Sequence, residues 1–203
     1  VGSLRIIAGA QRGRRLSVPR GAAVRPTADR AREALFSILG ARVRRARVLD
    51  AYAGSGALGL EALSRGAAAA TFLEADREAL RVVRANAAHL GVEASCTFRL
   101  GRAIDLLRRG EVAGPFDLVL ADPPYDSGER DVFLARVGEV VTADGVIVLE
   151  RDARREAARA GHVACWRTAR YGRCRLDFYR RSEEGTREDP GATGSSGPPD
   201  GAG

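Results

Sequence analysis

Between Arg47 and Glu150, short apolar runs alternate with segments whose apolar residues recur at helical spacing. Val48–Asp50, Ala69–Glu74, Ser95–Leu100, Phe116–Ala121 and Gly145–Glu150 have the length and composition of strands. A glycine-rich turn after Asp50 opens a helix that runs to about Arg65. Further helices are expected over Arg77–Leu90, Ala103–Arg109 and Asp131–Val141. This alternation predicts an α/β fold, a parallel sheet with helices on both faces. The rhythm then changes. His162–Ala169 and Arg173–Arg180 read as two strands joined by a turn near Gly172, so the sheet is expected to end in an antiparallel hairpin.

The first forty residues have a different pattern. Leu4–Ala8 and Leu16–Val18 read as short strands around the basic turn Gln11–Arg15, a small β-hairpin. Arg25 precedes a proline and is pushed out of the helical region. A helix should follow to about Leu39, capped by Thr27 or Asp29, with Ala31, Leu35, Ile38 and Leu39 as its apolar stripe. Three regions are therefore expected: a hairpin-and-helix extension over 1–40, the α/β unit over 41–181, and a tail over 182–203. Eleven of the nineteen residues in 185–203 are Gly, Pro or Ser, and such a segment is expected to be disordered.

Charge sharpens this division. The chain carries a net +7, but residues 1–47 alone hold twelve arginines against Asp29 and Glu33. Residues 48–181 come to only +1, and 182–203 to −4. A basic N-terminus points to a polyanion partner, with a solvated arginine-rich face as the plainer alternative. All 33 basic residues are arginine. The absence of lysine excludes a P-loop lysine, a Schiff base and a Ser-Lys pair. His89 and His162 lie in no metal-like or triad-like setting, and no metal is expected. Cys96, Cys165 and Cys174 lack C-x-x-C spacing and are odd in number, which favours a reducing compartment. No secretion signal or membrane span is evident, and a cytoplasmic location is expected.

Candidate chemistry sits at the strand ends. Gly54-Ser55-Gly56-Ala57-Leu58-Gly59 fits G-x-G-x-x-G between a strand and a helix, and Glu74 follows Gly54 by twenty residues at the end of the next strand. Glycines admit a ligand to the backbone, and the carboxylate can grip a ribose diol. The pattern implies an adenosine-containing cofactor without choosing one. Asp50 suits a cofactor whose far end carries an ammonium group and is badly placed for a pyrophosphate; otherwise it caps the loop. Asp122-Pro123-Pro124-Tyr125 closes a strand expected beside the first strand. Its prolines stiffen the turn, so the Asp122 carboxylate and the Pro123 carbonyl can converge on one NH2 group. Tyr125 offers a face for an unstacked base. The alternative is a proline turn with Tyr125 in the core.

Asp50–Gly56, Glu74 and Asp122–Tyr125 together resemble the class I S-adenosylmethionine-dependent methyltransferases that modify exocyclic amines. Leu4–Gly9, Arg12–Leu16, Arg25-Pro26-Thr27, Asp29–Phe36 and Ala53–Gly66 narrow the likeness to the RsmD family, the 16S ribosomal RNA guanine-N2 methyltransferases. The resemblance spans about Leu4 to Tyr179. It implies a Rossmann-like class I methyltransferase sheet. It implies cofactor contacts at Asp50, Ala51, Gly54, Ser55, Gly56, Glu74, Ala75, Arg102, Ala103 and Asp122. It implies catalysis by Asp122, Pro123 and Tyr125, and an RNA grip from Arg5, Arg12, Arg14, Arg15, Arg25 and Thr27. Arg102 departs from the acid or small polar residue usual after the third strand. The implied partner is 16S ribosomal RNA in the small subunit or an assembly intermediate, met by a monomer. Three rival readings remain: a methyltransferase for adenine or cytosine amines in DNA or other RNA, an NAD-linked oxidoreductase, and a catalytically idle RNA-binding factor.

Overall fold

The computed structural model describes residues 4–21, 26–123 and 130–182. Seven strands form one sheet: β1 (Arg47–Asp50), β2 (Ala69–Glu74), β3 (Cys96–Leu100), β4 (Phe116–Ala121), β5 (Val141–Asp152), β6 (Val163–Tyr171) and β7 (Cys174–Arg181). Their order is β3-β2-β1-β4-β5-β7-β6. The first five run parallel. β7 is antiparallel to β5 and to β6, so the sheet closes on the expected hairpin. Gly172, at φ +60°, makes its turn. The fold is Rossmann-like.

Among the described residues five α-helices cover the sheet: α1 (Pro26–Leu39), α2 (Ala57–Ser64), α3 (Arg77–Leu90), α4 (Ala103–Arg108) and α5 (Arg130–Gly138). Leu35, Phe36 and Leu39 of α1, Leu60 of α2 and Val83 of α3 share one apolar cluster with Val48, Phe72, Leu118 and Phe178 of the sheet. Ile104 and Leu107 of α4 and Phe133 and Leu134 of α5 pack on the opposite face with Leu49, Val119 and Ile147. Central strands buried on both faces are why β4 reads as a near-continuous apolar run. α3 matches its sequence expectation to the residue because both ends are signalled. Asp76 accepts the Ala79 N–H at 2.8 Å, and Gly91 stops the helix at φ +72°.

Some expectations need correction. The N-terminal hairpin forms as a short one: Arg5 bridges Arg15, and the Ile6 N–H donates to the Arg14 carbonyl and the Leu16 N–H to the Leu4 carbonyl, both at 2.9 Å. Side chains of the α/β unit tie the hairpin down. The buried Glu61 carboxylate of α2 takes the Ile7 and Ala8 N–H groups, and Asn86 of α3 takes that of Ser17. Helix α1 begins at Pro26, ahead of both proposed caps; proline at the first helical position needs no N–H partner. Asp29 lies in the first turn and pairs with Arg32 at 3.1 Å. β5 is longer than Gly145–Glu150 and α5 correspondingly ends early, because Val141 already pairs with Phe116. Leu4, Ile6 and Leu16 are buried in the same cluster as α1 and the sheet. The 183–203 part of the tail lies outside the described residues. Among the described residues no helix is long and apolar enough to cross a membrane.

Candidate active site

At the carboxyl ends of β1, β2 and β4 lies a cavity of about 550 Å³. This is the edge at which open α/β sheets take ligands. Of the residues expected at the cofactor, Ala51, Gly54, Glu74, Ala75, Arg102, Ala103 and Asp122 line it. Tyr52, Leu73, Gly101 and Ile104 line it as well and were not foreseen. Tyr52 is held edge-on against Phe133 of α5, ring centroids 5.3 Å apart. A strand-to-helix junction reads as connection, so a contact fixed by a helix eighty residues later leaves no local signal.

The glycine turn is built from both sides. Gly54 and Gly56 sit at φ +55° and +78°, in the left-handed region that favours glycine. The Gly54 N–H donates to Glu74 Oε2 at 2.7 Å, and the Asp76 N–H to Oε1 at 2.9 Å. Each Glu74 oxygen thus has one backbone donor and one lone pair left over. Gly59 lets α2 lie on β2, since a Cβ there would come within 2.4 Å of the Phe72 ring. Ser55 and Gly56 do not line the cavity; the Ser55 carbonyl instead accepts the Asn86 side-chain N–H at 2.9 Å.

Asp50 is buried at the end of β1 and does not itself line the cavity. Its Oδ2 accepts the Gly59 N–H at 2.9 Å, capping one of the first-turn amides of α2. Its Oδ1 is buried with no hydrogen-bond partner among the described residues. Burial pushes its pKa up to about 7, and the nearby Glu74 charge adds to this while the Gly59 hydrogen bond opposes it. The capping role and an acceptor open to a cation therefore coexist in one carboxylate.

β4 pairs with β1 as expected, Leu120 opposite Asp50, so Asp122 stands just past the strand end at the cavity wall. Pro123 is buried beside it. Tyr125 and Arg25 lie outside the described residues, as does the Thr27 side chain. Arg5, Arg12, Arg14 and Arg15 are exposed. The Arg14 guanidinium donates to the His89 carbonyl at the end of α3. Arg5, Arg12 and Arg15 form no ion pair among the described residues.

A family model described as "Conserved hypothetical protein 95" matches residues 4–180. Over 127 residues the chain is 43% identical to ribosomal RNA small subunit methyltransferase D of Escherichia coli, covering 63% of this chain and 63% of that protein. The chain thus spans somewhat under two thirds of the curated relatives it matches first. It is 31% identical to "Putative rRNA methyltransferase YlbH" of Bacillus subtilis over 184 residues, 88% of this chain and 99% of that one. Among solved structures it resembles yhhF of Escherichia coli, with TM-score 0.77 and 34% identity over 89% of this chain and 98% of that one. It also resembles the Thermus thermophilus hypothetical protein TTHA0928, with TM-score 0.73 and 31% identity over 87% and 98%. The chain belongs to the "Conserved hypothetical protein 95" family, the RsmD family that its motifs resemble.

Proposed function

We propose that this chain transfers a methyl group from S-adenosylmethionine to the exocyclic N2 amine of a guanine in 16S ribosomal RNA. The observation that carries this reading is a shared space: the Gly54 turn, the Glu74 carboxylate and Asp122 open onto one cavity. Its size suits an adenosine-sized ligand. The residues fit that group. Glu74 keeps a lone pair on each oxygen for a ribose diol, and Leu73, Ala103 and Ile104 give the cavity apolar wall for an adenine. The partnerless Asp50 Oδ1 suits an ammonium, directly or through water, which would also relieve the strain of a buried carboxylate. A nicotinamide dinucleotide would bring a pyrophosphate toward that same carboxylate. The names of the curated relatives favour ribosomal RNA over DNA as the polymer.

When bound, S-adenosylmethionine supplies an electrophilic sulfonium methyl. The chain's own residues would do the rest. A guanine amine is a poor nucleophile because its lone pair is delocalised into the ring. Asp122 accepts one N–H and the Pro123 carbonyl a second, which turns the lone pair toward the methyl. Both acceptors also stabilise the positive charge that grows on nitrogen as the new C–N bond replaces the C–S bond, and the amine then gives up one proton, to Asp122 or to water, to leave the neutral methylamine and the thioether. Tyr125 stacks on the unstacked base. Residues 1–40 form the RNA-binding extension, with Arg5, Arg12, Arg14, Arg15, Arg25 and Thr27 against the phosphates, and 41–181 form the catalytic unit. The working protein is a cytoplasmic monomer, acting on the small subunit or its assembly intermediate.

The test is methyl transfer from labelled cofactor to ribosomal RNA, small subunits and DNA, offered separately, with mass mapping of methylated guanosine. Asp122→Ala should lower turnover by about a hundredfold or more and leave S-adenosylhomocysteine binding in place. Near-normal turnover in that variant, or methylated adenine in DNA as the main product, overturns the reading.

A further inference from the structure

The near-neutral total of residues 48–181 hides a local excess of charge. The β6–β7 hairpin, residues 163–181, holds six arginines (Arg167, Arg170, Arg173, Arg175, Arg180 and Arg181) against one acid, Asp177. Asp177 is fully buried, paired with Arg151 of β5 and bonded by the Thr168 hydroxyl at 2.7 Å. It therefore does little to neutralise Arg167, Arg170 and Arg173, which are exposed. β6 is the outermost strand, and its outer edge pairs with no other strand among the described residues.

On that strand stands Trp166, the sole tryptophan of the chain. It is 44% exposed, more than any other large apolar side chain among the described residues. Phe178 packs against it at 5.8 Å between centroids, and the Arg180 guanidinium lies 4.5 Å from its ring centre. A β-bulge between Cys165 and Arg167 sets it out of the regular pairing.

Strand register fixes where this surface lies. Ala121 pairs with Leu149, Leu149 with Asp177, and Asp177 with Thr168. Asp122 is the next residue after Ala121. Arg170 and the turn at Gly172-Arg173 therefore lie at the same edge of the sheet as Asp122. Three strand spacings of about 4.8 Å separate β4 from β6, roughly 14 Å in all. The cofactor cavity lies to the other side of β4, over β1 and β2. Asp122 stands between the two.

We propose that the β6–β7 hairpin is a second contact for single-stranded RNA. Its exposed arginines take phosphates flanking the target base, and Trp166 stacks on an unpaired base. The proposal rests on the RNA reading above and adds the surface that orients the strand across Asp122. An edge strand protected against mispairing needs charge alone. It does not need an exposed indole set among arginines, which is the make-up of a strand-tracking surface. An acidic protein would match the charge and leave the ring unused.

Because Trp166 is the sole tryptophan, its emission reports on this surface directly. The full chain is titrated with oligoadenylate of about twelve nucleotides, within the usual site size, and separately with polyglutamate. Expected are saturable quenching by the RNA, weakened by salt, and none by polyglutamate. By anisotropy of labelled RNA, Trp166→Ala should weaken binding about tenfold, and Trp166→Phe much less. Arg170→Ala with Arg173→Ala should reduce the slope of log affinity against log salt by about 1.4, two phosphates at about 0.7 each. S-adenosylhomocysteine affinity should stay unchanged in all variants, which reports an intact fold. Wild-type affinity and slope in every variant, with RNA still bound, overturn the hairpin proposal and leave the RNA reading standing. Equal quenching by polyglutamate overturns the stacking. No binding of RNA by the wild-type chain overturns both.

Discussion

Asp50 holds a conflict that a ligand could resolve. Its pKa of about 7 in the fold stands above 3.8 in the unfolded chain. A carboxyl raised on folding favours the fold fully below the unfolded value and loses that contribution as pH rises through the folded one. The penalty for the buried charge is therefore fully present above about pH 7. Asp50→Asn keeps an acceptor for the Gly59 N–H and removes the charge. It should raise the melting temperature at pH 8 by several degrees and by much less at pH 5. It should also lose cofactor affinity, measured by calorimetry at pH 8. In the wild type, cofactor affinity should fall as pH drops below 7, because a protonated Asp50 has nothing to offer a cation. A variant that melts lower than wild type at pH 8 would show that the cap outweighs the buried charge.

At the scale of elements, α2 is the joint of the molecule. Its first turn carries the glycine loop, its inner face lies on β2, and Glu61 and Ser64 hold the N-terminal segment. The Ser64 hydroxyl donates to the Ala8 carbonyl at 2.6 Å and accepts the Gln11 N–H at 3.1 Å. Glycine inside a helix is ordinarily improved by alanine, by about 1 kcal/mol. At Gly59 the clash with Phe72 should win, and Gly59→Ala should destabilise by about 1–3 kcal/mol, read as a lower urea midpoint. Glu61→Ala strands the Ile7 and Ala8 N–H groups and frees Arg65, bonded to Glu61 at 2.7 Å. It should cost about 2–4 kcal/mol and speed hydrogen exchange over residues 4–16 ahead of the core strands. These ties explain what was legible in the sequence. Strand ends, caps and glycine turns act within a few residues, so β2, α3 and β4 could be read to their last residue. The N-terminal hairpin could be read only in outline, because the side chains that hold it in place lie more than fifty residues away.

Across the whole molecule, charge and core do not divide the chain in the same place. The basic N-terminal segment sends Leu4, Ile6 and Leu16 into the main cluster while Arg12 and Arg15 stay outside. Asn86 binds Ser17 through both its amide groups, at 2.8 and 2.9 Å, and also reaches the Ser55 carbonyl of the glycine loop. The segment proposed to meet RNA is thus anchored to α2 and α3 and, through Asn86, tied to the glycine loop whose Gly54 lines the cavity. Net charge by region singles out this arm and passes over the β6–β7 hairpin, whose arginines are averaged against acids elsewhere in the same interval. The anchoring also decides how the arm can be tested. Removing residues 1–20 would delete three buried side chains along with the charge, and a loss of binding would then mean only a damaged fold. Arg12→Glu with Arg15→Glu changes charge at exposed positions and leaves the core alone. Loss of two phosphate contacts lowers the slope of log affinity against log salt by about 1.4 for single-stranded RNA, and the two new carboxylates add repulsion. RNA affinity should therefore fall most steeply at low salt, with melting temperature and cofactor affinity unchanged. Combined with the hairpin variant, the two slope changes should add, because the sites share no partner. An unchanged slope in the Arg12 and Arg15 variant would move the RNA grip off the N-terminal arm.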